Sequence, residues 1–216
     1  MIKVSKSEDG PESLLTTKAY DSEDVKRQLF KDQNSKCYLC ERHLTTDFEI
    51  EHFKSKDNYS QLIQDWNNLL LSCRYCNGKK LNHFDNLLNP LTENIEEEIK
   101  QEVDFTNKKV KFTSIHDETE AGKQLIELLQ RLFNGSKSIR TLKEENFFNY
   151  FISDINRFHE TVNNYLLKPT PPTENEVRIA LDVDKEFLGF KYWIIKSNST
   201  LNSKFSKDIV WNKYKK

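Results

Sequence analysis

Long apolar runs are absent from this chain. Nothing in its 216 residues approaches the ~20 consecutive apolar positions a membrane-spanning helix requires. The opening residues, MIKVSKSEDGPES, lack the apolar core of a signal peptide, so the expected location is the cytoplasm, without a membrane partner. Disulfides are rare there, and the four cysteines therefore need another explanation. No sign of charge dominates, and a net charge of −1 singles out no partner. Internal repeats are missing as well. Aromatic residues, by contrast, are plentiful: fourteen Phe, eight Tyr and three Trp supply more core material than a disordered chain carries. With 36% apolar and 31% charged residues, the chain is polar but globular, long enough for one good core or two small ones.

Local patterns divide it into a cysteine-bearing front, residues 1–95, and a helical back, residues 96–216, which is expected to build a partner surface. Val25, Leu29 and Phe30 form a short apolar stripe at helical spacing, predicting a helix that leads into Cys37. TTDFEIEHF alternates like a strand through Phe48, Ile50 and His52, WNNLLLSC reads as a second extended segment, and CNGKKLNHF as a helix start or loop. EIKQEVDF and KVKFTSI flank Thr106-Asn107-Lys108 and predict a β-hairpin. Asp117 with Glu120 suggests a cap for a helix with Leu125, Leu128 or Leu129, and Leu132 inward, stopped at Asn134-Gly135. Thr141 with Glu144 opens another, with Phe148, Phe151, Ile155, Phe158, Val162 and Tyr165 at spacings of three and four; core packing explains that row better than base stacking. KPTPPT must break it, after which Thr173 and Glu176 are expected to cap a last long helix to about Lys196. The expected class is α+β, mainly α.

Charge is uneven. Thr92 to Glu120 holds nine acidic and four basic residues, and Lys185 to Lys216 holds eight lysines against two acids. A basic tail fits nucleic-acid contact or a solvated helix face equally.

Cys37-x-x-Cys40 and Cys73-x-x-Cys76 carry the strongest chemical signal. Two intervening residues let both thiolates of a pair grip one ion from a tight turn, and two such knuckles complete a tetrahedral S₄ shell suited to zinc. Buried free thiols or a redox pair are the plainer readings, but a redox C-x-x-C would not come twice, nor without its βαβ setting. With all four positions filled by sulfur, this zinc is structural, contributing on the order of 10 kcal/mol to folding. It closes a loop of 32 residues.

That loop displays Glu51 and His52, then Asn67 or Asn68, and Asn77 stands directly behind Cys76. A lone Glu-His pair would be an exposed strand with a stray histidine. Together these residues supply what phosphodiester hydrolysis needs. Glu51 is a hard oxygen ligand for Mg²⁺ or a similar ion. His52 is a base that is neutral near pH 7. An amide or backbone carbonyl can fix the imidazole tautomer, and the Asn77 oxygen is a second, neutral metal ligand. The order C-x-x-C, EHF, W-x-N-L, C-x-x-C-N-x-x-K resembles an HNH endonuclease of the zinc-ribboned kind, with a ββα-metal core over roughly residues 30 to 90. The resemblance implies Glu51 and Asn77 as ligands of a catalytic Mg²⁺ or Mn²⁺, His52 as base, and Asn68, followed by Leu69, as the asparagine orienting it. Among the motif lysines, Lys56 and Lys80 are candidates for phosphate contact, with solvated surface positions as the alternative. His43, His83, His116 and His159 are read outside the site, and Trp66 as packing beneath it.

IEHFKSK, LIQDWNNLLLSCRYCNGKK and LLNP are similar to the HNH subunit of Septu-type anti-phage systems, also found beside some retrons. That likeness implies an ABC/SMC-like ATPase partner, and a retron RNA/DNA–reverse transcriptase complex as a further one. Where that group has EHF-x-P-K, Ser55 precedes Lys56 here, which predicts a less rigid loop entry. Three functions follow: cleavage of DNA, with a partner supplying much of the grip; the same chemistry on RNA such as tRNA; or a non-catalytic zinc-stapled binding or scaffold module.

Overall fold

The computed structural model describes residues 1–17, 19–117 and 119–211. Lys213, Lys215 and Lys216 of the basic tail lie outside the described residues. The architecture is α+β, with two separate two-stranded sheets among the helices.

After a short helix α1 (Glu12–Thr16), helix α2 (Glu23–Asp32) buries Val25 and Leu29, as their spacing predicts. The first knuckle follows as a tight turn in which Cys37 N–H donates to the Arg42 carbonyl and Glu41 N–H to the Cys37 carbonyl. Strand β1 (Phe48–His52) pairs antiparallel with β2 (Leu69–Cys73), placing Glu51 opposite Leu70 and His52 opposite Leu69. β2 is buried throughout, so its near-continuous apolar run is a central wall. Helix α3 (Arg74–Lys80) starts on the second knuckle, with Cys73 as its N-cap. This is the ββα unit.

A single turn, α4 (Ile95–Glu98), leads into the hairpin β3 (Ile99–Asp104) and β4 (Lys109–Ser114) around the expected turn. Helix α5 (Glu120–Asn134) buries Leu125, Leu128, Leu129 and Leu132 and ends at Gly135. Its cap is Thr119, not Asp117: Gly122 N–H donates to the Thr119 hydroxyl at 3.0 Å, because Glu120 is already the first helical residue. Helix α6 (Leu142–Leu167) opens on the Thr141/Glu144 capping box and buries its aromatic row.

The expected last long helix is three. α7 (Pro171–Ala180) begins on the prolines themselves, which fit the first helical turn where no N–H is needed, with Thr170 as cap and Thr173 completing its box. The chain then turns through residues 181–187, with Phe187 left-handed at φ 53°, into α8 (Leu188–Lys196) and α9 (Ser199–Phe205). Thr173 and Glu176 therefore lie inside α7.

One cluster of buried side chains runs from Leu29 and Leu69–Leu71 through Leu125–Phe133 to Phe151 and Phe190, so it spans residue 95. A second, from Phe158 to Ile209, closes the far end.

Candidate functional site

The four cysteine sulfurs lie within 4.8 Å of one another and all four residues are buried. A tetrahedral site with metal–sulfur distances of about 2.3 Å has edges of about 3.8 Å, and Cys40 and Cys73 sit at 3.9 Å. Burial pushes the Cys40 and Cys76 thiols up, while hydrogen bonds from the other three thiols pull Cys73 down. A cation held between them would let all four ionise. The donor set and spacing fit a metal.

The knuckles also hold the ββα unit in place. Gln33 bridges the first knuckle to the sheet, its amide donating to the carbonyls of Lys36 and Leu71 while Leu71 N–H donates back at 2.7 Å. Tyr75, inside the second knuckle, stacks on Phe147 at 4.9 Å and donates its hydroxyl to the Leu132 carbonyl at 2.6 Å.

Glu51, His52, Lys56 and Asn77 line one cleft together with Ser55, Asp57 and Asn82. Adjacent strand residues face opposite sides, but His52 ends β1, and the turn that follows lets it share the cleft with Glu51. His52 Nε2 lies 3.0 Å from the Ile63 carbonyl. A carbonyl only accepts, so Nε2 carries the proton and Nδ1 is the free base. Desolvation holds this imidazole below its ordinary pKa, the bond to Ile63 acting the other way. Asn77 Nδ2 donates to Glu49 at 2.5 Å, which leaves Oδ1 as its donor atom for a cation.

Among the described residues, the hydrogen bonds of the Asn68 side chain go to backbone groups and not to the histidine. Lys54 N–H donates to Asn68 Oδ1 at 2.7 Å, and its Nδ2 donates to the carbonyls of Lys54 and Leu62 at 3.0 and 3.1 Å. It pins both ends of the 54–62 loop, which presents the Ile63 carbonyl to His52. Asn67 is exposed.

Lys80 is a correction. Expected at a phosphate, it is fully buried, its ammonium 2.8 Å from Glu51 Oε1 and 3.0 Å from the His52 carbonyl. On the short helix α3 it faces the sheet, where a buried carboxylate needs a countercharge. Burial pushes the Glu51 carboxyl up against the pull of Lys80. Lys56 is exposed, 3.2 Å from the Tyr20 hydroxyl. Tyr20 meets the His52 ring edge-on at 4.8 Å; no local sequence signal marks either Tyr20 or the Ile63 carbonyl.

Ser55 does not loosen the loop. Its N–H and hydroxyl both donate to Asp85, each at 2.7 Å, and a proline would lack the first donor. His43, His83 and His116 are exposed and line none of this cleft, and His159 packs against Phe105. Trp66 is buried, donating to the Ser7 carbonyl at 2.9 Å.

Residues 37–83 match the sequence model of the HNH endonuclease family. This segment carries an HNH endonuclease domain, built on the cysteine cluster and the ββα unit. Two curated proteins, each called Septu protein PtuB, are similar to the chain. That of Bacillus thuringiensis is 39% identical over 82 residues, covering 35% of this chain and 32% of its own length. That of Bacillus mycoides (strain KBAB4) is 40% identical over 82 residues, covering 31% of this chain and 28% of its own. The match thus spans about a third of the length of these relatives.

Proposed function

We propose that the protein is a metal-dependent nuclease that hydrolyses phosphodiester bonds in DNA, the effector of a Septu-type anti-phage complex in the cytoplasm. The single observation carrying this reading is the convergence of Glu51, His52 and Asn77 on one cleft, with Nδ1 of a neutral imidazole left to act. His52 takes a proton from the attacking water at Nδ1, while the Ile63 carbonyl holds Nε2–H and so the ring's orientation. Glu51 and the Asn77 oxygen would hold Mg²⁺ or Mn²⁺, which would supply stabilisation of charge on the leaving oxygen. Lys80 fixes the Glu51 carboxylate from behind. Lys56, exposed at the rim, meets a flanking phosphate. Zinc at the four cysteines is structural.

The PtuB likeness supports an ABC/SMC-like ATPase partner that controls the nuclease and adds to its grip; a retron RNA/DNA–reverse transcriptase complex is a further candidate. The test incubates the protein, alone and with its partner, separately with plasmid and total tRNA plus Mg²⁺ or Mn²⁺. Plasmid cleavage lost in His52→Ala supports the reading. Cleavage confined to tRNA replaces DNA with RNA, and activity of the complex undiminished in His52→Ala leaves the domain a scaffold.

A further inference from the structure

A second polar concavity lies between the β3–β4 turn, the end of α5 and the segment leading into α6. Lys108, Lys109, Lys137 and Arg140 line it against Glu145, since Arg131 and Glu127 pair with each other at 2.5 Å. The three lysines are exposed. Arg140 lies 3.7 Å over the Phe148 ring and donates from Nη2 to the Lys108 carbonyl at 2.8 Å, so its plane is fixed. The frame is rigid too: the Asn134 amide pairs with both N–H and C=O of Val110, each at 2.8 Å. Gly135 has φ +84°, and a Cβ there would come within 3.0 Å of Glu144.

Three consecutive residues of α3 connect this concavity to the catalytic cleft. Asn77 lines the cleft, and Lys79 donates to the Ser136 hydroxyl at 2.8 Å and pairs with Glu144. Helical residues advance by about 100°, so Gly78 faces outward between them. It is exposed, and a Cβ there would meet nothing within 4 Å. Neither packing nor the ordinary helical backbone demands glycine at a position where alanine would be the better helix former. What a missing side chain does provide is close approach of another backbone. Arg74, one turn earlier on the same stripe, is 68% exposed at its side chain.

We infer that the DNA backbone leaving the cleft crosses α3 over Gly78 and enters the groove of Lys108, Lys109, Lys137 and Arg140, so that the helical half holds the flank of the substrate. This rests on the nuclease reading for its occupant. Complementary charge and continuity with the cleft favour DNA over an acidic protein surface.

The test uses the full chain. In a His52→Ala background, binding of a labelled DNA duplex is measured across a salt series. Lys108→Gln with Lys137→Gln is expected to lower the slope of log affinity against log salt by about two. Gly78→Gln is expected to hold or raise Tm while weakening duplex binding, and cleavage in the otherwise unaltered chain, on the order of tenfold. Unchanged affinity and slope in both variants, or no duplex binding by the chain at all, overturns the proposal. So does competition in which tRNA displaces the duplex at equal concentration, or a defect confined to binding an acidic protein partner. If no metal supports cleavage by the unaltered chain, alone or with its partner, but the binding series behaves as expected, the nuclease reading falls and the groove stands.

Discussion

The two halves of the molecule bury different things. The back half is held mostly by rings: Phe151 lies 4.9 Å from Phe133, 5.1 Å from Phe187 and 4.6 Å from Phe190. The front half buries a lysine against a glutamate, an asparagine serving three backbone groups, and four thiols. Among the largest fully buried side chains, Lys80 keeps company with Phe133, Phe151 and Phe158. Ring packing is tolerant of position and stabilises by area. Polar burial stabilises less, leaves penalties when incomplete, and fixes orientation. The half that carries the HNH segment accepts that cost, which a metal held by the four cysteines would offset.

The sharpest break of this contrast is removal of the metal. Chelation or Cys76→Ser should cost up to about 10 kcal/mol and unfold the front half, read as loss of cooperative melting together with metal content. His52→Ala comes next, lowering cleavage by roughly 10²–10⁴-fold, out of proportion to the modest fall in Tm expected from losing its Ile63 bond and Tyr20 contact. Lys80→Met and Phe151→Ala should each cost about 3–5 kcal/mol in denaturant melts, for opposite reasons. The first leaves Glu51 charged and alone, so adding Glu51→Gln should recover stability; the second leaves a cavity that no polar change repairs. Smaller is the effect of pH. Desolvation depresses the His52 pKa, so between that value and its ordinary one the unfolded chain binds more protons. Stability therefore falls as pH drops below about 6.5, while the base stays neutral and the acid limb of the cleavage rate shifts below that value. His52→Gln should reduce the stability change, and His159, depressed by desolvation in the same way, should keep part of it. Smallest is Ser55→Ala, which removes one hydroxyl bond to Asp85 and should cost about 1 kcal/mol, read from the shift of the denaturation midpoint.

The sequence announces the sulfur cage plainly, because spacing in a knuckle is covalent geometry; Glu51, His52 and Asn77, singled out by their motif, line one cleft. Periodicity likewise exposes α5, α6 and the hairpin. Lys80 misleads because a motif lysine looks the same facing phosphate or a buried carboxylate; only the packing of α3 on the sheet decides. The group that orients His52 is a backbone carbonyl, which no residue type encodes, and Asn68 acts through the loop that presents it. The division of the last helix escapes pattern reading because DVDKEF contains neither glycine nor proline, and its turn depends on Phe187 adopting φ 53°.

Tyr75 gives these differences a practical consequence. Seated between two metal-binding sulfurs, it reaches out of the knuckle to grip the end of α5 and the flank of α6. The phenol is thus one rivet between the cage and the far half, beside the bonds of Lys36 to the Val183 and Lys185 carbonyls and of Gly189 N–H to Glu41. Substitutions at Phe147 are therefore expected to loosen the second knuckle, read as weaker metal retention, without any residue of the cleft being altered.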